Sequence, residues 1–317
     1  MKFHTIIVGA GGFLGHRLCL AAASASTASG RPVDGIAGVS RRRPIRQTGG
    51  VTRITGDRQR PDLAKMLLQS GATTWIDTAI SSADDAVQLV SACRTVADSG
   101  IRLPSFVITS TIGEHARILA EGGTIRSDSP LMADDEHARG KLEAFLVLAD
   151  QPWLDVTWVI LPMMWGPGDH DPDGRRGRTR DVIRAIMTGR PVRFAGNGDN
   201  AMPDGFVDTV AHAIVHISSS PSGPGIRRIP VAGPDPVTPA GFVAEVRSEL
   251  GLEPEVPEDS GKDPRDGPHP FPGSAVAMDC HELYESGFRA PFDWRTGVRL
   301  TVQAELVESG KAWGCQR

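Results

Sequence analysis

The chain has a single tyrosine, Tyr284, in 317 residues. Any chemistry that needs a phenol must use that one residue, far downstream, or do without it. Cysteine is also scarce. Cys19, Cys93, Cys280 and Cys315 are scattered without metal-ligand spacing, so reduced thiols of a cytoplasmic protein are expected and no metal site is. No apolar run approaches the length of a membrane span. The N-terminus carries one lysine and a short apolar run broken by glycines, so a signal peptide is not expected. A formal charge of -4 gives no basic field for nucleic acid or an anionic membrane. Lysine is rare beside arginine, and alanine and glycine are abundant, a composition that hints at a GC-rich bacterial genome. There is no internal repeat. The length allows a sizeable core, as one large domain or as an α/β domain with a smaller lobe.

What the chain does have begins at residue 2. Ile6, Ile7 and Val8 form a strand-like run that breaks into Gly9, Gly11, Gly12 and Gly15, and a helix-compatible segment follows. A buried parallel strand reads as continuous β-branched residues. A turn without side chains lets backbone N–H groups reach a pyrophosphate, and the next helix offers the positive end of its dipole. Gly15 would let that helix lie close on the strand. Short apolar runs then alternate with helical stretches, the pattern of right-handed βαβ units and a parallel sheet.

Glycines at 9, 12 and 15 with Phe13-Leu14 before the last resemble the extended short-chain dehydrogenase/reductase family, also called the epimerase/dehydratase family. That resemblance implies a Rossmann-type, doubly wound α/β fold with a smaller, discontinuous C-terminal substrate lobe. Residues 1–165 and a returning segment near 200–235 would form the dinucleotide domain; 166–200 and 236–317 would form the lobe. Gly9, Gly12, Phe13, Leu14 and Gly15 would contact the cofactor. The second strand, 33–39, runs into Ser40-Arg-Arg-Arg43. An acidic residue at this tip accepts hydrogen bonds from a ribose 2′-hydroxyl, whereas arginine pairs with a 2′-phosphate. With no carboxylate here, NADP is expected over NAD, with Ser40, Arg41 and Arg42 in contact and Arg43 a spectator. The competing reading is a solvated loop. Asp57, after the third strand (51–55), would contact the adenine amino group or serve as a turn residue. Thr78 and Ala79, ending a fourth strand at 74–80, would lie under the cofactor.

The fifth strand, 105–111, ends in hydroxyls at Thr109, Ser110 and Thr111, where open α/β sheets place their sites. One of them orients the reacting oxygen in the resembled family; Thr111 matches best, then Ser110, while strand-end hydroxyls can also merely satisfy backbone. Residues 136–149 read as an amphipathic helix. The family carries Tyr-x-x-x-Lys here, both side chains on one face. Lys141 is present, but the tyrosine position is His137. Histidine can do acid–base work at neutral pH. Beside a lysine and an oxidised nicotinamide its resting form is expected to be neutral. His137 is therefore read as the proton-transfer group, with a substrate-orienting donor or a redox-silent site as alternatives.

Pro162 is counted with the cofactor contacts, and Met163, Met164 and Trp165 with the substrate wall. Asp169 to Gly174 copies the opening of a calcium loop, but Pro172 interrupts it and position twelve is Arg180, so no metal is expected. The run 175–180 reads as a solvated arginine loop. Nucleotide-sugar members carry an arginine before the aspartate matching Asp204; here it is Pro203, which argues against a nucleotide-sugar substrate. A Pro/Gly/Asp-rich stretch from 253 to 273 reads as a flap. The function implied is an NADP-dependent oxidoreductase acting on a carbonyl, imine or alcohol of a small molecule, possible as a homodimer. The rivals are a non-redox isomerase, lyase or cyclase, and a cofactor-binding sensor without turnover.

Overall fold

The computed structural model describes residues 2–41, 49–169, 178–194, 198–254, 258–259 and 274–310. In chain order its first half runs β1 (Thr5–Val8), α1 (Phe13–Ala28), β2 (Ile36–Ser40), β3 (Thr52–Thr55), α2 (Pro61–Leu68), β4 (Thr74–Asp77) and α3 (Ala83–Ala97). Next come β5 (Ser105–Thr109), α4 (Ala116–Glu121), β6 (Gly123–Ile125), α5 (Glu136–Ala149) and β7 (Asp155–Ile160). Then follow α6 (Arg178–Met187), β8 (Arg193–Phe194), α7 (Val207–Ser218), β9 (Gly225–Pro230) and α8 (Pro239–Glu249). Last are β10 (Glu258–Asp259), β11 (Val276–Met278), α9 (His281–Glu285) and α10 (Trp294–Glu308).

Seven strands form one parallel sheet in the order β3-β2-β1-β4-β5-β7-β9. The chain leaves β1 in one direction for β2 and β3, then jumps back to β4. The crevice beyond the ends of β1 and β4 is thus a topological switch point, where ligands of open α/β sheets bind. Ile6, Ile7, Val8, Trp75 and Ile76 are all buried, because helices cover both faces. Helices α1 and α7 pack on one face; α2, α3 and α5 pack on the other. A separate apolar cluster around Trp165, Phe206, Phe242 and Trp294 forms the core of the C-terminal part, tying α6, α8 and α10 together. Each large side chain buried there contributes about 1.5–3 kcal/mol.

Three differences from the sequence expectation have local causes. Val33–Gly35 makes a 3₁₀ turn, and β2 starts only at Ile36. Strand β4 stops at Asp77, whose Oδ1 accepts from the N–H groups of Ala79 and Ile80 and turns the chain. Arg180 is not solvated: it is buried and pairs with Glu305 at 3.3 Å and Glu308 at 3.1 Å, locking α6 to α10. Asp169 likewise has a structural job, its Oδ2 accepting from the Thr179 N–H at 2.9 Å. Residues 170–177 lie outside the described residues, as does most of the expected flap. Cys19, Cys93 and Cys280 are free and buried; Cys315 lies outside the described residues. Among the described residues no helix is long and apolar enough to cross a membrane, and no group of His, Cys, Asp or Glu could hold a metal.

Candidate active site

Beyond the ends of β1, β2 and β4 lies a cleft of about 790 Å³. It gathers side chains and backbone from separate parts of the sequence: Gly9 and Gly12, Ser40 and Arg41, Asp57, and Thr78 with Ala79. The turn after β1 has no room for side chains. Gly9 has φ +86°, and a Cβ there would run into Thr78 Oγ1. A Cβ on Gly15 would collide with the Gly9 carbonyl, so α1 can approach the turn only without one. The N-cap of α1, Gly12, offers no side-chain cap, and no acidic residue sits in the first turn. The helix therefore presents its N–H groups and dipole to whatever anion enters the cleft. This cradle fits a dinucleotide pyrophosphate. Gly15→Ala is expected to weaken dinucleotide binding by at least tenfold, on the order of the 1–3 kcal/mol of a forced overlap; a titration showing unchanged affinity would count against the cradle.

Of the remaining expected cofactor contacts, Phe13 is half-buried, and Leu14 is buried in the core beneath α1, leaving only its backbone for the ligand. Pro162 is buried beyond β7. Arg42 lies outside the described residues. Arg41 is exposed and pairs with Asp57 at 3.3 Å, so the two candidates meet each other across the mouth of the cleft.

The floor of the cleft beside Asp57 holds a polar cluster that local pattern does not reveal. Arg58 is buried between Asp77 (3.1 Å) and Asp85 (3.2 Å), and Gln59 Nε2 also donates to Asp85. Asp85 further accepts from the N–H of Ser81 at 2.8 Å. These bonds and the Arg58 charge hold the Asp85 carboxyl below its usual range, although burial pulls the other way. Two buried carboxylates flank one guanidinium, and loss of Arg58 would leave both without their counter-charge.

The candidate catalytic residues gather at the carboxyl ends of β5 and β7. Lys141, on α5, is buried, and its Nζ donates to the Thr109 carbonyl at 2.7 Å. Burial pushes the ammonium down to about 8, while Asp77, Glu114 and Asp85 hold it up. Ser110 is buried and donates to Glu114, which also accepts from Trp158 Nε1 at 3.1 Å. Glu114 is fully buried, with Oε1 unpartnered. Desolvation raises its pKa against the pull of Ser110, Trp158, Lys141 and Arg228. Thr111 is half-buried, and its Oγ1 accepts from the Gly113 N–H at 3.2 Å. With Ser110 engaged by a buried carboxyl, Thr111 is the more accessible hydroxyl at this strand end. His137 stands one helical turn before Lys141, exposed, in the first turn of α5. Asp135 caps that turn by accepting from the Ala138 N–H at 2.8 Å.

On the expected substrate wall, Met163 and Met164 are half-buried, but Trp165 belongs to the core. Its ring packs 5.2 Å from Phe206 and 5.4 Å from Phe242, centroid to centroid. The reason is the bridge Trp165 makes to Phe206, with the Trp165 N–H donating to Gly205 O at 3.0 Å, which turns the indole inward. Beside it sits Asp204, 1% exposed. Its Oδ1 accepts from the Phe206 N–H at 2.9 Å, but neither its Oδ2 nor Trp165 Nε1 closes a hydrogen bond. Burial pushes Asp204 up to about 7. An acid whose pKa is raised on folding contributes stability at low pH that is lost as pH rises through the folded value. Asp204→Asn should therefore melt above the wild type at pH 8, by on the order of 1–4 kcal/mol. That advantage should shrink as pH falls from 7 towards 4. A constant gap across this range would contradict the assignment.

Residues 5–229 match the NAD dependent epimerase/dehydratase family, and the chain belongs to that family of extended short-chain dehydrogenase/reductase enzymes. Solved structures agree in fold over the whole length. A UDP-N-acetylglucosamine 4-epimerase from Methanobrevibacter ruminantium M1 is 16% identical, with TM-score 0.73 over 97% of this chain and 100% of that one. A dTDP-glucose 4,6-dehydratase from Bacillus anthracis str. Ames, in complex with NAD, is 15% identical, with TM-score 0.72 over 98% of each chain. A UDP-glucose 4-epimerase from Thermus thermophilus, in complex with NAD, is 17% identical, with TM-score 0.68 over 96% of this chain and 99% of that one.

Proposed function

We propose that the chain is a nicotinamide-dinucleotide-dependent oxidoreductase acting on a carbonyl, imine or alcohol of a small, non-nucleotide substrate. The observation that carries this reading is the joint presence of an uncapped helix N-terminus over a side-chain-free turn after β1 and a buried lysine at the end of β5, two strands away. Gly9, Gly12 and the first turn of α1 would hold the pyrophosphate, Thr78 and Ala79 would lie beneath the dinucleotide, and Lys141 would hold the nicotinamide ribose. The cofactor supplies hydride donation or acceptance when bound. Thr111 Oγ1 would orient the substrate oxygen, and the His137 imidazole would carry the proton to or from it. Met163 and Met164 would form the apolar side of the pocket. A non-nucleotide substrate is supported at residues 202–204. Where a diphosphate-holding arginine would stand there is a buried proline, flanked by buried Met202 and Asp204.

The form of the cofactor turns on Arg41. The lack of a carboxylate at the tip of β2 supports NADP, with Arg41 pairing the 2′-phosphate; Asp57 competes for the same guanidinium at 3.3 Å. NADPH is expected to bind more tightly than NADH in a fluorescence titration. Asp57→Asn should free Arg41 and widen that preference by about fivefold, and Arg41→Ala should abolish it. Equal affinity of the wild type for both cofactors, unmoved by either substitution, would remove NADP from the proposal.

A further inference from the structure

At the opposite end of the strands, below the starts of β1 and β4, lies a second cleft of about 440 Å³. It is walled by the C-terminal ends of α1 and α7 and by the segment after α9. Its lining is unlike the rest of this acidic chain. Arg31, Arg289, His4, His212 and His216 contribute to it, and among the described residues no carboxylate does. Asp34, on the turn after Arg31, is exposed, and the other acids on the surrounding elements are engaged. Asp208 pairs with Arg17 at 3.3 Å, Glu282 with Arg227 at 3.3 Å, and Glu285 with His281 at 3.2 Å.

Helix ends alone do not account for this charge. Two C-termini present about half a negative charge each, which a single cation would balance. Two guanidiniums alone exceed that need. The Arg31 side chain makes no hydrogen bond or ion pair among the described residues, and Arg289 donates only through Nη1, to the carbonyls of Tyr284 and Phe288. His4 is held in place: its ring lies where a Cβ on residue 35 would be, which Gly35 leaves free, and its Nε2 faces Pro32 O at 3.1 Å. His216 packs on the buried Phe288 at 5.6 Å, giving the cleft one apolar wall.

We propose that this cleft binds a small phosphate-bearing anion, with Arg31 and Arg289 supplying the opposing charge. A phosphate dianion matches two guanidiniums in charge, and guanidinium can donate to phosphate oxygens in pairs. The site is far from the cofactor cleft, yet both ends of α1 are involved: its first turn faces the pyrophosphate cradle and its last lines this cleft.

The test is calorimetric titration with inorganic pyrophosphate on protein saturated with NADPH, so that the cofactor cleft is filled. One pyrophosphate per chain is expected. Arg31→Ala with Arg289→Ala should weaken it by about tenfold or more, and His212→Gln, a second variant on the same wall, should weaken it less. Both arginines are exposed, so the double variant should keep its NADPH affinity, which reports an intact fold. No uptake of pyrophosphate, uptake only by displacement of NADPH, or binding indifferent to the double substitution would each overturn the proposal. If the dinucleotide itself does not bind, the same comparison of wild type and double variant on the unliganded protein decides the question.

Discussion

Lys141→Met is expected to lower kcat/KM by on the order of 10³-fold and to weaken dinucleotide binding, the largest effect of any single substitution considered. Lys141 is buried at the end of β5 with its Nζ on the Thr109 carbonyl. Methionine keeps the length and apolar stem and removes only the charge. Burial lowers the ammonium to about 8 in the folded chain, against a free value near 10.5. A base depressed in this way contributes stability that is fully present only above its unfolded pKa, and that contribution is lost as pH falls through 8. At pH 7 the charge is thus a cost to the fold, and the variant should melt at or above the wild-type temperature. In the wild type, dinucleotide affinity should fall as pH rises past about 8, because the ammonium is discharged. A variant that lost activity through unfolding would show a lowered melting temperature, and one with wild-type turnover would remove Lys141 from the site.

His137→Phe is expected to cut turnover by on the order of 10²-fold while leaving cofactor affinity within about twofold. The side chain is exposed and Asp135 caps the helix start, so the variant is expected to keep a melting temperature close to that of the wild type. The wild-type rate should show an ionisation between about 5 and 8, where imidazole titrates. His137→Tyr offers the complementary check. It should retain measurable turnover and lose that ionisation. Unchanged turnover in the phenylalanine variant, or a flat wild-type profile, would assign proton transfer elsewhere.

Much of the fold is legible in the sequence because it is written locally. The β-branched runs, the glycine turn and the period of α5 each depend on residues a few positions apart, and α5 begins and ends where its sequence pattern does. Strand ends read too long wherever a side chain, rather than a run of apolar residues, decides the stop. Asp77 ends β4 by accepting two backbone N–H groups, and nothing in the run Thr74 to Ile80 signals that. The cleft proposed to hold the cofactor gathers residues for the same reason as the strands: Gly9, Gly12, Ser40, Arg41, Asp57, Thr78 and Ala79 stand at strand ends, and parallel order brings strand ends together.

The hidden parts are partnerships over long separations. Arg58 looks like an ordinary surface residue after Asp57, and only the fold brings it between Asp77 and Asp85. Glu114 follows a glycine in an irregular stretch, and its burial comes from Trp158, 44 residues on. Trp165 escapes a local reading because its neighbours Met163 and Met164 do stay partly open, while its own ring is claimed by Phe206 and Phe242. A signal for Glu114 does exist: a carboxylate between a hydroxyl-rich strand end and a histidine, in a chain where Lys141 must be buried, is a candidate counter-charge.

The most direct test of the account is a crystal structure of the chain with NADPH bound. The pyrophosphate should lie on the N–H groups of the Gly9–Gly15 turn, the ribose of the nicotinamide within hydrogen-bond distance of Lys141 Nζ, and the nicotinamide ring on the side of α5 that carries His137. A dinucleotide bound with its nicotinamide directed away from α5, or seated outside the cleft between β1 and β4, would contradict it.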